Sequence, residues 1–254
     1  MNEFINKVFN MDNLKLMQEI PNDSIDLIYC DILYGTGKDF GNYKDIKANK
    51  EDVEDFYIPR IKEMHRILKN TGSVYLQMDW RISHWIRLIL DDIFGYNNFQ
   101  NDIVWCYKSG GATKKRWNRK HDNILFYSKS PKFIFNPQLE KSYNRGLKPY
   151  RFKGVEEFED DIGWYTLVGA KDYWNIDMLG RTSPDRTGYA TQKPKELMEK
   201  IIKASSNPGD IVADFFCGSG TTPVVARELG RRYIACDIEE EATIITRDRL
   251  NKLE

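Results

Sequence analysis

Two short segments of this chain carry residues whose types and spacing could do chemistry. The first is Asp214-Phe-Phe-Cys-Gly-Ser-Gly220, set directly after an apolar run and directly before a helix-forming one. Glycines at 218 and 220 permit a tight turn and let backbone approach a ligand that a Cβ would block. A second apolar run closes on Asp237, whose carboxylate could accept both hydroxyls of a ribose. Together these describe a nucleoside-containing ligand lying across the carboxyl ends of neighbouring strands. A dinucleotide is the competing ligand, but its fingerprint needs a third glycine three residues after the second, and position 223 is Pro. A lone Gly-x-Gly is as readily a structural turn; the preceding acid, the strand context and Asp237 favour a ligand. The second segment is Asp31-Ile32-Leu33-Tyr34, an acid and an aromatic residue at a strand end. On its own such an acid is more often a turn or helix-cap residue than a catalyst.

Both segments need a scaffold, and hydrophobic periodicity predicts one. Residues 24–30 read as a strand, 51–68 as an amphipathic helix stopped by Asn70-Thr-Gly72, and 73–78 as the next strand. A helix over 81–94 and a strand near 103–105 follow. In the last third, a helix over 193–205 has Pro194 near its first turn, where a missing N–H costs little. A strand over 210–215, a helix over 221–229, a strand over 232–236 and a closing helix over 239–253 complete the pattern. Alternating strands and helices predict an α/β fold with a doubly wound, mostly parallel sheet. The chain divides into residues 1–107, a central region 108–189 of different texture, and 190–254. Within the centre, 121–129 reads as a strand of the same sheet.

Length and composition fit this picture. At 254 residues, 41% hydrophobic and 30% charged, the chain suits one large α/β domain carrying a modest insertion. No apolar run approaches a membrane span, and the first residues lack a secretory signal, so a cytoplasmic protein is expected. Cys30, Cys106, Cys217 and Cys236 are scattered, with no metal-ligand spacing to the histidines, so neither a metal site nor a disulfide framework is expected. Formal net charge is zero, yet residues 108–153 hold thirteen basic residues against only Asp122 and Glu140. Such a segment can steer a polyanion even in a neutral protein, although a solvated surface loop accounts equally for the charge alone.

Asp-x-Phe-x-Gly-x-Gly resembles the cofactor motif of S-adenosylmethionine-dependent methyltransferases that act on exocyclic amino groups of DNA bases. Thr191-Gln-Lys-Pro194, followed by Leu197, Ile201 and Ile202, resembles the segment preceding it in the beta arrangement of that family. There the catalytic motif comes first, a target-recognition region second and the cofactor motif last, which is the order here. The resemblance implies a Rossmann-like methyltransferase fold with circularly permuted motif order and a central target-recognition insert. It implies that Asp214, Phe216, Gly218, Gly220 and Asp31 border the cofactor, and that Asp237 holds its ribose. It also implies that Asp31, the carbonyl of Ile32, and Tyr34 form the catalytic motif. An exocyclic amino nitrogen is conjugated with its ring and is a poor nucleophile. A carboxylate and a backbone carbonyl accepting its two N–H bonds draw the lone pair out and aim it. Tyr34 offers a face for an extruded base. The family has two prolines where this chain has Ile32 and Leu33, so the loop gains conformational freedom and two N–H donors.

In the central region, Gly110, Gly111, Lys114, Lys115, Arg116, Trp117, Arg119 and Lys120 combine flexible backbone, cations and one indole suited to phosphate contact and stacking. The alternative is that Trp117 anchors the loop to the core. Residues 143–153 and 164–186 are the candidates for base contact. The expectation is an N6-adenine DNA methyltransferase acting by base flipping, because Asp at position 31 favours adenine in the family. The alternatives are a cytosine-N4 enzyme, an inactive relative that only binds DNA, or a small-molecule or RNA methyltransferase, for which the basic central segment would be an odd extra. Double-stranded DNA is the expected partner, with a homodimer and a restriction endonuclease as further possible partners in a bacterial or phage setting.

Overall fold

The computed structural model describes residues 1–39, 45–108, 112–180 and 182–253. Its elements in chain order are β1 (Lys7–Asn10), α1 (Asn13–Glu19), β2 (Ile25–Asp31), α2 (Lys50–Ile67), β3 (Leu68–Met78), α3 (Ser83–Phe94), β4 (Phe99–Cys106) and β5 (His121–Ser128). There follow β6 (Leu139–Tyr143), β7 (Phe158–Glu159), β8 (Trp164–Gly169), β9 (Tyr173–Asn175), α4 (Lys195–Ser205), β10 (Ile211–Asp214), α5 (Thr221–Glu228), β11 (Arg232–Asp237) and α6 (Glu240–Asn251). The main sheet runs β1-β11-β10-β2-β3-β5-β4-β9. Strands β1, β11, β10, β2 and β3 are mutually parallel, β5 is antiparallel to both its neighbours, and β9 is parallel to β4.

The sheet is covered on both faces, which explains its apolar strand sequences. In β2 every residue before Asp31 is buried. Ile25, Ile28 and Cys30 pack with Leu16, Val53, Ile61 and Ile86 from α1, α2 and α3. Leu27 and Tyr29 point to the other face, against Leu197, Ile201, Val224 and Leu250 from α4, α5 and α6. This doubly covered, mostly parallel sheet is the expected fold.

Three details differ from the sequence reading. The segment Asn70-Thr-Gly72 does not separate α2 from β3; the strand begins at Leu68, which already pairs with Ile25. Pro194 is the N-cap of α4, in extended backbone, and lies just outside the helix. The first 23 residues hold elements the periodicity did not reveal. Strand β1 adds to the edge of β11, and Asp12 caps α1 by accepting from the N–H groups of Leu14 and Lys15. These pieces are four and seven residues long, too short for a periodic signal. The central region is discontinuous: β5 and β9 belong to the main sheet, whereas β6, β8 and β7 form a separate three-stranded antiparallel sheet.

Candidate active site

Three parallel strands end side by side on three acids: Asp31 on β2, Asp214 on β10 and Asp237 on β11. Register places Ala213 against Ile28 and Asp214 against Ala235. Segments far apart in sequence thus open into one cavity of about 630 Å³. Its lining includes Asp31, Ile32, Tyr34, Asp214, Phe216, Gly218 and Asp237, seven of the eight catalytic and cofactor-binding positions singled out in the sequence. Gly220 does not line it. Its left-handed backbone (φ +74°) ends the loop at the N-cap of α5, and a Cβ there would collide with Thr246 of α6. That glycine serves the approach of two helices.

The loop after β10 is tied at both ends by carboxylates. Asp214 accepts from the N–H of Phe216 at 3.0 Å and from Thr222 Oγ1 at 2.5 Å. Asp237 accepts from the N–H of Gly218 at 2.8 Å and from that of Glu239 at 3.0 Å. Oδ2 of Asp237 is tied to the loop and Oδ1 to the start of α6, and the carboxylate has lone pairs beyond these for a ligand. Burial pushes the Asp214 carboxyl up to about 7, against the pull of its Thr222 and Phe216 hydrogen bonds. Burial also raises Asp237, opposed by the N–H groups of Glu239 and Gly218.

Asp31 sits in a denser network. It forms an ion pair with Lys193, whose ammonium also donates to the Thr191 carbonyl at 3.1 Å. The Tyr34 hydroxyl lies 2.7 Å from Asp31 Oδ1 and 2.8 Å from Asp122 Oδ2. Without prolines, the loop is held by bonds and packing. The Ile32 N–H donates to the Gln77 carbonyl at 3.0 Å, and the Ile32 side chain is only 2% exposed. Tyr57 donates its hydroxyl to the Leu33 carbonyl at 3.0 Å. The carboxylate of Asp45 takes the N–H groups of Gly35 and Thr36 at 3.2 and 2.7 Å.

Several lining residues gave no functional signal in the sequence. Arg60 of α2 stacks over Phe56 and donates to Asn13 and Asp12, and Asn13 in turn donates to the Phe215 carbonyl. These helices were not connected to the site by any motif. Asp122 had a visible hint, as one of two acids among thirteen basic residues. Lys193 stood inside a recognised segment but had no assigned role.

The basic stretch lies beside the cavity. Among its described residues, Lys114, Lys115, Arg116, Trp117 and Arg119 are exposed and Lys120 is half-buried; Gly110 and Gly111 lie outside the described residues. Trp117 is 94% exposed, which overturns the alternative that it anchors the loop to the core. The guanidinium of Arg119 stacks 3.4 Å from the centre of the Trp80 ring, and Trp80 follows Asp79 of the cavity wall. Of the candidate base-contact residues, Tyr143 and Trp164 belong to the small sheet, where Tyr143 donates to Asp160, and Arg181 lies outside the described residues. Among the described residues no cluster of His, Cys, Asp or Glu has the makings of a metal site, and no helix is long and apolar enough to cross a membrane.

A parallel sheet presenting an acid-aromatic loop and a Gly-x-Gly loop to one cavity, beside a basic surface, defines a class of nucleoside-cofactor enzyme acting on a polyanion. Comparison with known proteins narrows it. A family model described as DNA methylase matches residues 25–247. The chain is 33% identical over 242 residues to the DNA adenine methyltransferase YhdJ of Escherichia coli (strain K12), covering 92% of this chain and 79% of the relative. It is 31% identical over 239 residues to the type II methyltransferase M.HpaI of Haemophilus parainfluenzae, covering 94% and 72% respectively. Among solved structures, the cytosine-N4-specific PvuII DNA methyltransferase superposes with a TM-score of 0.67 at 17% identity, covering 96% of this chain and 85% of that one. A complex of M1.HpyAVI with S-adenosylmethionine superposes at 0.63 with 21% identity, covering 96% and 98%. The chain belongs to the N6-adenine/N4-cytosine family of S-adenosylmethionine-dependent DNA methyltransferases.

Proposed function

We propose that this chain transfers a methyl group from S-adenosylmethionine to the N6 amino group of adenine in a specific DNA sequence, on a base flipped out of the duplex. The observation that carries the reading is the adjacency of Asp31 and the Gly218 loop at the carboxyl ends of neighbouring parallel strands. A methyl donor held by one and an amino group held by the other would meet within a single cavity. The residues present suit the cofactor. Asp12, Asp31, Asp237 and Glu239 outnumber Arg60 and Lys193 in the lining, which favours a ligand carrying sulfonium and ammonium charges. Exposed Ile238 beside Asp237 offers an apolar face for a purine.

When bound, S-adenosylmethionine supplies an activated methyl group. This chain's own residues do the rest. Phe216 and Gly218 border the methionine portion, and Asp237 uses its remaining lone pairs on the ribose hydroxyls. Asp31 and the carbonyl of Ile32 accept the two N–H bonds of the target amino group, drawing its lone pair out of conjugation. Hydrogen bonds to a charged acceptor contribute roughly 1.5–3 kcal/mol each, and in-line orientation contributes about 7–11 kcal/mol more. Tyr34 bounds the space the flipped base enters. Lys114, Lys115, Arg116, Arg119 and Lys120 contact phosphates, and Trp117 stacks in or beside the duplex.

An acid at position 31 and an adenine-specific relative at 33% identity support adenine over cytosine. The relatives named type II methyltransferases support a companion role to a restriction endonuclease. The test is incubation with methyl-labelled S-adenosylmethionine and mixed-sequence duplex DNA, then digestion to nucleosides and mass spectrometry. N6-methyldeoxyadenosine is expected. N4-methyldeoxycytidine would transfer the assignment to cytosine, and neither product with DNA still bound would make the chain an inactive DNA-binding relative.

A further inference from the structure

The Tyr34 hydroxyl has one proton and two carboxyl neighbours. Its oxygen lies 2.7 Å from Asp31 Oδ1, 2.8 Å from Asp122 Oδ2 and 3.0 Å from Gln77 Nε2. Tyr29 donates to Gln77 Oε1 at 2.7 Å, which turns the amide N–H groups toward Tyr34 and Asp122. A phenol can donate to only one of two carboxylates. Two bare anions sharing one hydroxyl also repel, which favours a proton on one of the pair. Asp31 forms an ion pair with the ammonium of Lys193. Asp122 is 5% exposed, sits on the interior strand β5, and makes no ion pair among the described residues.

We propose that Asp122 is a neutral carboxylic acid in the working enzyme, donating to Tyr34 so that Tyr34 donates to Asp31, and is thereby a positioning residue for methyl transfer. This rests on the reading of Asp31 as acceptor of the target amino group. The chain of donors fixes the Asp31 carboxylate from one side and leaves its other lone pairs for the base. If Asp122 ionised, it would compete for the Tyr34 proton and pull the hydroxyl off Asp31. Every group facing Asp122 bears on its proton. Burial and the Asp31 charge hold the proton on, while Lys193, Tyr34 and Tyr107, the last donating to Oδ1 at 3.0 Å, favour its loss. The Gln77 amide N–H, 3.2 Å from Oδ2, also favours the ionised form, and Tyr29 of β2 lies close by. The proton is present at low pH and lost as pH rises, so its loss gives turnover an alkaline limb.

Asp122→Asn keeps the shape and a donor toward Tyr34, whereas Asp122→Ala removes both. With Asp122→Asn, kcat should stay within about threefold of wild type, one neutral hydrogen bond replacing another, and the alkaline limb should disappear. With Asp122→Ala, kcat should fall about ten- to a hundredfold through misplacement of Asp31, with KM for DNA little changed. Independently of activity, infrared spectra of the cofactor-free protein labelled with ¹³C-aspartate, taken as wild type minus Asp122→Asn, should show a protonated carboxyl at neutral pH that fades as pH rises. Subtraction removes Asp79, Asp214 and Asp237, which burial also raises. Absence of that band would overturn the proposal, as would an Asp122→Asn enzyme as impaired as Asp122→Ala. Should Asp122→Ala fail to fold, a loss above tenfold in folded Asp122→Asn would suffice. Failure of wild-type methyl transfer would remove the reading of Asp31 while the infrared result still decided the state of Asp122.

Discussion

Asp31 has neighbours that hold it in place and a charge that Lys193 balances, and these set what its removal costs. Asp31→Ala should lower methyl transfer by about 10- to 150-fold, the equivalent of the one charged hydrogen bond it accepts from the target amino group. DNA affinity, measured by fluorescence anisotropy, should change little, because the phosphate contacts proposed above lie on the basic loop. Loss of DNA binding in step with activity would show that Asp31 instead supports the fold. Asp214 makes a different prediction. Its carboxyl is raised from 3.8 to about 7 by burial, so the folded state favours the protonated form. That contribution is fully present below pH 3.8 and is lost as pH rises through about 7. Asp214→Asn should therefore gain stability relative to wild type between pH 5 and pH 8 in urea titrations of the cofactor-free protein. A constant difference across that range would mean Asp214 titrates normally.

The loop after β2 shows how an element can keep its shape with different chemistry. Proline at 32 would remove the N–H that Ile32 gives to Gln77 and the buried Ile side chain with it. Ile32→Pro should cost about 0.5–1.5 kcal/mol or more, whereas Leu33→Pro leaves both named backbone bonds intact, gives up only partly buried packing, and should cost less. Chemical denaturation of the two variants distinguishes them, and a stabilised Ile32→Pro would mean that the prolines are simply missing. The basic loop makes a test of the same scale. Replacing Lys114, Lys115 and Arg116 by Ala should flatten the dependence of log K for DNA on log salt by up to about two to three units. An unchanged slope would place the DNA elsewhere. At this scale the sequence was legible wherever an apolar run met a motif: β2 before Asp31, and β10 before the Gly-x-Gly loop. It was opaque where short pieces owe their form to tertiary partners. Strand β1 exists through its pairing with β11, and Arg60 reaches the cavity only because α1 and α2 pack together. Asp122 was legible as an oddity of charge, but the convergence of β5 with β2 that gives it meaning is a property of the folded sheet.

Across the whole molecule, the active cavity depends on the pairing of β2 with β10. The Asp26 carboxylate accepts the N–H of Ile211 at 2.9 Å across 185 residues of sequence. Strands β2, β3, β5 and β4 can assemble from the first half of the chain, but the partner on the other side of β2 arrives much later. At a synthesis rate of about 5–20 residues per second, the 83 residues from Ser128 to Ile211 take about 4–17 s. During that wait the nascent chain holds an apolar strand with one edge open, a site for wrong pairing with other chains. The acid that would catalyse methyl transfer is built early, on an edge that only the cofactor half can close. The enzyme thus has no competent site until its last third has been made and has paired with β2.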